Sequence, residues 1–162
     1  LITKRIMLNE ISKTNAENTF AELLRMEVIP IVNENDSVSY TEIESNDRLF
    51  GDNDMLSSVV AVLCRASKLV IFSDIDGFYN CDPRLHPDAK LIEEIDKIDD
   101  EVYKLAGGAG SRRGTGGMRT KLQAAALATS QGIDTIITNG KNPAALYDII
   151  EGVPVGTKFK AQ

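Results

Sequence analysis

Apolar runs of strand length alternate with periodic helical segments along this chain, and that alternation restricts the fold more than any single motif. Residues 28–32, 68–72 and 134–138 are short, apolar and rich in β-branched side chains, as strands require. Strands separated by helices imply βαβ crossovers and a mainly parallel, open α/β sheet sandwiched by helices. Shorter candidates are strands at 91–95 and 153–159 and helices at 99–105 and 143–150. A capping box, Thr14 with Glu17 three residues on, predicts a first helix to about Met26, with Ala16, Phe20, Leu23 and Leu24 on one face. A second helix is predicted from Gly51-Asp52-Asn53-Asp54 through Ala66, its buried stripe being Leu56, Val59, Val60 and Leu63. Pro30 weakens the first strand, because it removes a ladder donor.

Each of the main strand candidates ends in polar residues. Asn33-Glu34-Asn35-Asp36 follows the first, Ser73-Asp74-Ile75-Asp76-Gly77 the second and Asn139-Gly140 the third. In a parallel sheet these carboxyl ends share one rim, which is where open α/β sheets bind ligands. Helix starts share that rim. Gly114-Thr115-Gly116-Gly117-Met118-Arg119-Thr120-Lys121 runs straight into an alanine- and leucine-rich helix to about Gln131. Free N–H groups and the positive end of the helix dipole make such a start an anion site. Lys121 is a cation where the dipole disfavours one, unless an anion is near. Taken singly, each cluster also reads as a turn or a cap. One cap needs one such residue, however, and Asp52, Asn53 and Asp54 stand in a row.

The rim offers carboxylates, amides, N–H groups and a lysine, but no serine–histidine pair, histidine cluster or cysteine nucleophile. That set suits phosphoryl transfer, in which the protein positions groups and neutralises charge, with carboxylates available to Mg2+. With 43% hydrophobic and 26% charged residues, a chain of 162 has enough apolar material for one core. A net charge of −6 argues against a nucleic-acid surface. No apolar run approaches the roughly 18 residues of a membrane span. Cys64 and Cys81 match no metal-ligand spacing and read as free thiols of a reducing cytoplasm. His86, the single histidine, precedes Pro87 in a loop and is assigned no role. The chain begins at Leu1 rather than Met, so a preceding segment is expected.

Four elements occur in order over nearly the whole length: Asn33-Glu34-Asn35-Asp36, Gly51-Asp52-Asn53-Asp54, Ser73-Asp74-Ile75-Asp76-Gly77-Phe78-Tyr79 with Asp82-Pro83-Arg84, and Gly114 to Lys121. In that combination the chain resembles the glutamate 5-kinases of the amino acid kinase family. The resemblance implies that residues 1–162 are a partial amino acid kinase domain, holding the nucleotide-binding part and part of the glutamate site, with the N-terminal lobe missing. It implies ATP and Mg2+ as cofactors and L-glutamate as substrate. The product is L-glutamyl 5-phosphate, at the first step of proline biosynthesis in the cytoplasm. By the same resemblance Lys121 and Asp54 are catalytic, Asp54 orienting lysines around the transferring group. Asp36 and Asn53 hold glutamate, with Asn33 and Asp52 shaping its pocket. Ser73, Asp74, Thr115, Gly116, Gly117, Met118, Arg119, Thr120 and Lys121 hold the nucleotide. A homo-oligomer and inhibition by proline are family expectations, without nucleic-acid or membrane partners. Another small-molecule kinase of the family, or a nucleotide-binding module without turnover, are the alternatives. Residues 1–162 alone are expected to be inactive and to leave a sheet edge unpaired; the glycine-rich stretch 106–117 is expected to move without ligand.

Overall fold

The computed structural model describes residues 6, 9–33, 53–106 and 115–162. Its elements, in chain order, are α1 (Glu10–Arg25), α2 (Asn53–Leu63), β1 (Lys68–Ser73), β2 (Glu94–Ile95), α3 (Asp100–Ala106), α4 (Thr115–Thr129), β3 (Asp134–Asn139), α5 (Ala145–Glu151) and β4 (Thr157–Phe159). Among the described residues, four strands form one sheet in the order β1-β3-β4-β2. β1 and β3 are parallel and in register from Lys68 opposite Asp134 to Ser73 opposite Asn139. β2 is parallel to β4, and β4 runs antiparallel to β3. The sheet is therefore mainly parallel and flanked by helices, as the alternation of segments implies.

Alanine explains how α4 sits. Leu122, Ala124, Ala125 and Ala128 are fully buried and share a cluster with Leu69 and Ile71 of β1, Ile137 of β3 and Ala61 of α2. Short side chains let the backbone of α4 approach its neighbours closely, while the larger β1 and β3 residues supply the apolar area. Each fully buried Leu or Ile contributes about 1.5–3 kcal/mol. Phe20 of α1 completes a second cluster with Val59 and Leu63 of α2, against which Leu127 of α4 packs. Val102, Tyr103 and Ala106 of α3 pack on the first. Phe159 of β4 meets Phe78 edge to face, ring centroids 6.3 Å apart.

A buried threonine fastens the loop after β1 to the far side of the sheet. The Thr157 hydroxyl accepts from the Phe78 N–H at 2.7 Å and donates to the Ile92 carbonyl at 2.6 Å. Gly77 makes that approach possible, since a Cβ there would lie 2.6 Å from Thr157 Oγ1. Gly156, just before β4, has φ +66° and a Cβ direction aimed into the Ile137 carbonyl, so the turn into β4 needs glycine.

Several boundaries differ from the sequence expectations. The first helix starts at Glu10, not at the Thr14 capping box, because the Asn9 side chain accepts from the Ser12 N–H at 2.9 Å and caps it earlier. The second ends at Leu63 rather than Ala66, in a turn with Arg65 at φ +51°. Residues 28–32 join no strand ladder among the described residues. Ile29 and Ile31 are 87% and 99% exposed, whereas Val32 packs on the Phe20 cluster. An apolar run states a preference for burial, and here only part of it meets a partner. The predicted strands at 91–95 and 153–159 shorten to β2 and β4, with Leu91 left in an isolated bridge to Tyr79. The expected mobility concerns a stretch of which 107–114 lie outside the described residues.

Replacing Thr157 by valine keeps the shape but leaves the buried Phe78 N–H and Ile92 carbonyl without that partner. The expected loss is about 2–4 kcal/mol in chemical denaturation, with Thr157→Ser retaining most of the stability.

Candidate functional site

The site begins where two helices start side by side. Asp54 lies in the first turn of α2, where the helix dipole favours a carboxylate. Lys121 lies in the second turn of α4, and helical side chains lean toward the N-terminus. The α2–α4 packing brings the two together: Lys121 Nζ donates to Asp54 Oδ2 at 2.8 Å. Their side chains are only 16% and 10% exposed. Thr120 donates chiefly to the Gly117 carbonyl at 2.9 Å and also points at Asp54 Oδ2, 3.4 Å away. The cation that the dipole of α4 disfavours is thus offset within the protein by Asp54. Such a pair holds its geometry tightly, because removing either partner strands a charge in low dielectric.

Lys121 also lines a cavity of about 520 Å³, within the usual range for small-molecule sites. Ser73 and Asp74 at the carboxyl end of β1 form one wall, and Gly117 and Met118 of α4 stand beside Lys121. The Ser73 hydroxyl donates to Asp74 Oδ1 at 3.1 Å, which orients that carboxylate. The loop from Tyr79 to His86 and Lys104, Leu105 and Ala106 of α3 complete the lining. The strand end, the helix start and the lysine therefore converge on one space, with backbone N–H groups and a fixed cation at one side.

Other expected residues fall elsewhere. Asn53 opens α2 next to Asp54 but is exposed and does not line the cavity. Asn33 is exposed and does not line it either. Arg119 is exposed and Thr120 half-buried, and neither lines the cavity. Thr115 and Gly116 begin α4. Asp36 and Asp52 lie outside the described residues. Among the described residues no group of three or more His, Cys, Asp and Glu side chains gathers as a metal cage.

The sequence assigns no role to the loop from Tyr79 to His86, although Tyr79 and Asp82-Pro83-Arg84 stand out in it as a motif. Tyr79 is tied down there. Burial first, and then the nearby Asp76 charge and hydrogen bond, push its phenol above the ordinary tyrosine value.

Comparison with known proteins bears on the family and the fold. The model of the Amino acid kinase family matches residues 2–139. Glutamate 5-kinase of Clostridium perfringens (strain 13 / Type A) is 53% identical over 162 residues, covering 100% of this chain and 60% of the relative. The Clostridium tetani glutamate 5-kinase is 49% identical over 161 residues, covering 99% and 58%. The chain thus spans about 60% of the length of the curated relatives it matches. Among solved structures, UMP kinase from Ureaplasma parvum superposes with TM-score 0.54 at 17% identity, over 89% of this chain and 52% of that one. Carbamate kinase from Giardia lamblia, bound to AMP-PNP, gives TM-score 0.51 at 24% identity, over 68% and 36%. At those identities the structural likeness speaks for the fold alone.

Removing the carboxylate of the ion pair tests how far the site's geometry depends on it. Asp54→Ala leaves the Lys121 ammonium stranded and is expected to cost about 3 kcal/mol in denaturant unfolding. Adding Lys121→Met to that variant is expected to recover a large part of the loss.

Proposed function

We propose that this chain, which belongs to the amino acid kinase family, forms the nucleotide-holding part of a kinase that phosphorylates the γ-carboxylate of L-glutamate. The observation that carries this reading is Lys121, held 2.8 Å from Asp54 on the wall of a cavity that Ser73 and Asp74 also line. The names of the closely similar relatives supply the acceptor.

The chemistry asks little of the protein beyond placement and charge. The γ-carboxylate has a pKa of about 4.3 and is ionised at neutral pH, so no general base is needed. One carboxylate oxygen attacks the γ-phosphorus of ATP, the new bond forms there, and the bond to the bridging oxygen breaks with its electron pair leaving on ADP. Two anions must meet in this step. Lys121 offsets the repulsion and the charge on the passing phosphoryl oxygens. The N–H groups at the start of α4 receive phosphate oxygens. Mg2+ bound to the triphosphate would supply further neutralisation, and Asp74 and Asp82 are the described carboxylates of the lining that would face it. Asp54 fixes the lysine. Asp36, Asn53, Asn33 and Asp52 are the proposed glutamate side of the site, and L-glutamyl 5-phosphate is the proposed product, at the head of proline biosynthesis.

A nucleotide-binding module without turnover is the second reading, because the chain covers only part of its relatives' length. The two separate in one assay. The protein carrying this sequence is expected to release ADP only with L-glutamate, and hydroxylamine is expected to trap a γ-glutamyl hydroxamate. ADP release with UMP or carbamate but not glutamate would move the acceptor; nucleotide binding without any release would favour the module. Within that assay Lys121→Ala is expected to lower turnover at least 10²-fold while glutamate binding persists.

A further inference from the structure

Behind the cavity wall stands a carboxylate that does not itself line the cavity. Asp76, in the turn after β1, is exposed, yet both of its oxygens are engaged. Asn139, the last residue of β3, donates from Nδ2 to Asp76 Oδ1 at 2.7 Å. The Tyr79 hydroxyl donates to Asp76 Oδ2 at 3.2 Å. The orientation of the Asn139 amide is set independently, since its Oδ1 accepts from the Lys141 N–H at 2.9 Å, which leaves Nδ2 facing the carboxylate. Beside this bridge the Gly140 N–H donates to the Ser73 carbonyl at 2.8 Å. Two loops that follow neighbouring parallel strands are therefore laced together where one of them forms the cavity wall.

We propose that Asp76 is a positioning residue for the cavity: by accepting from Asn139 and from Tyr79 at once, it anchors the Tyr79 part of the wall to the end of β3. The inference rests on reading the cavity as a nucleotide site. Three features support a functional role over a decorative one. Tyr79 lines the cavity, so its placement shapes the bound ligand's surroundings. Asp76 uses each oxygen for a different element, so it links rather than merely caps. Ser73, tied to Gly140 in the same lacing, carries the hydroxyl that orients Asp74. Loosening Asp76 therefore frees Tyr79 and slackens the wall beside Ser73 and Asp74, while Lys121 and Asp54 stay paired across α2 and α4.

The test is calorimetric titration of the protein carrying this sequence with MgADP, at a temperature where every variant is folded. Asp76→Ala and Tyr79→Phe are each expected to weaken binding about fivefold or more, and the two together no more than the stronger alone. The swap of Asp76→Asn with Asn139→Asp rebuilds both links, the new amide donating to the new carboxylate and still accepting from Tyr79. It is expected to restore affinity to within about twofold of wild type, which a general loss of stability would not allow. In Asp76→Ala the Tyr79 phenol is also expected to titrate closer to an ordinary tyrosine. Wild-type binding that survives unchanged in Asp76→Ala and Tyr79→Phe would overturn the positioning role and leave the nucleotide reading intact. So would a folded swap that binds no better than the single variants. No uptake of MgADP by the wild-type protein would remove the nucleotide reading, and this inference with it.

Discussion

One ion pair sets the terms for the rest of the site. Lys121 and Asp54 come from helices far apart in the chain, and their contact at 2.8 Å depends on α2 and α4 lying close along their length. The alanines of α4 are what permit that closeness. A bulkier face would push the helices apart and leave a long, flexible lysine to choose its own position. Packing thus converts a mobile cation into a fixed one. An ammonium has three N–H donors, and the bond to Asp54 uses one, so a fixed positive group with donors to spare faces the cavity. Preorganised charge of this kind is what transfer of a phosphoryl group between anions demands.

The cavity also shows why a mainly parallel sheet suits such a site. β1 and β3 run in the same direction and in register, so Ser73 and Asn139 end side by side. The chain leaves both strands at the same rim, and the polar residues that follow are brought together without any sequence proximity. The Asp76 bridge between Asn139 and Tyr79 is a product of that register: a slip of one residue would turn Asn139 to the opposite face.

Much of this was legible in the sequence. Period and composition located the strands 68–72 and 134–138 and both helices of the ion pair, because each is long or strongly patterned. The glycine run before Lys121 and the surplus of cap-type residues at Asp52, Asn53 and Asp54 marked the two helix starts that meet. Other features were not legible, for physical reasons. Residues 28–32 have the content of a buried strand, but pairing depends on what lies alongside, and Ile29 and Ile31 remain exposed. Thr14 and Asn9 are both competent caps, and only the backbone decides between them. The loop from Tyr79 to His86 has no periodicity at all. Its place on the cavity wall comes from Thr157, a residue that sequence distance hides completely.

The strand order carries a consequence for assembly. β2 pairs only with β4 among the described residues, and β4 is the last element in chain order. Glu94 and Ile95 therefore have no ladder until Lys158 and Phe159 arrive. The stitch from Thr157 to Phe78 and Ile92 waits for the same event. During synthesis on the ribosome, the segment between β1 and α3 keeps its local bonds, such as the Ile92 N–H to the Phe78 carbonyl at 2.8 Å, but lacks its ties to β4 until β4 is made. Closing so long a loop is slow and entropically costly, so among the described elements the cavity lining after Phe78 is tied to the sheet late.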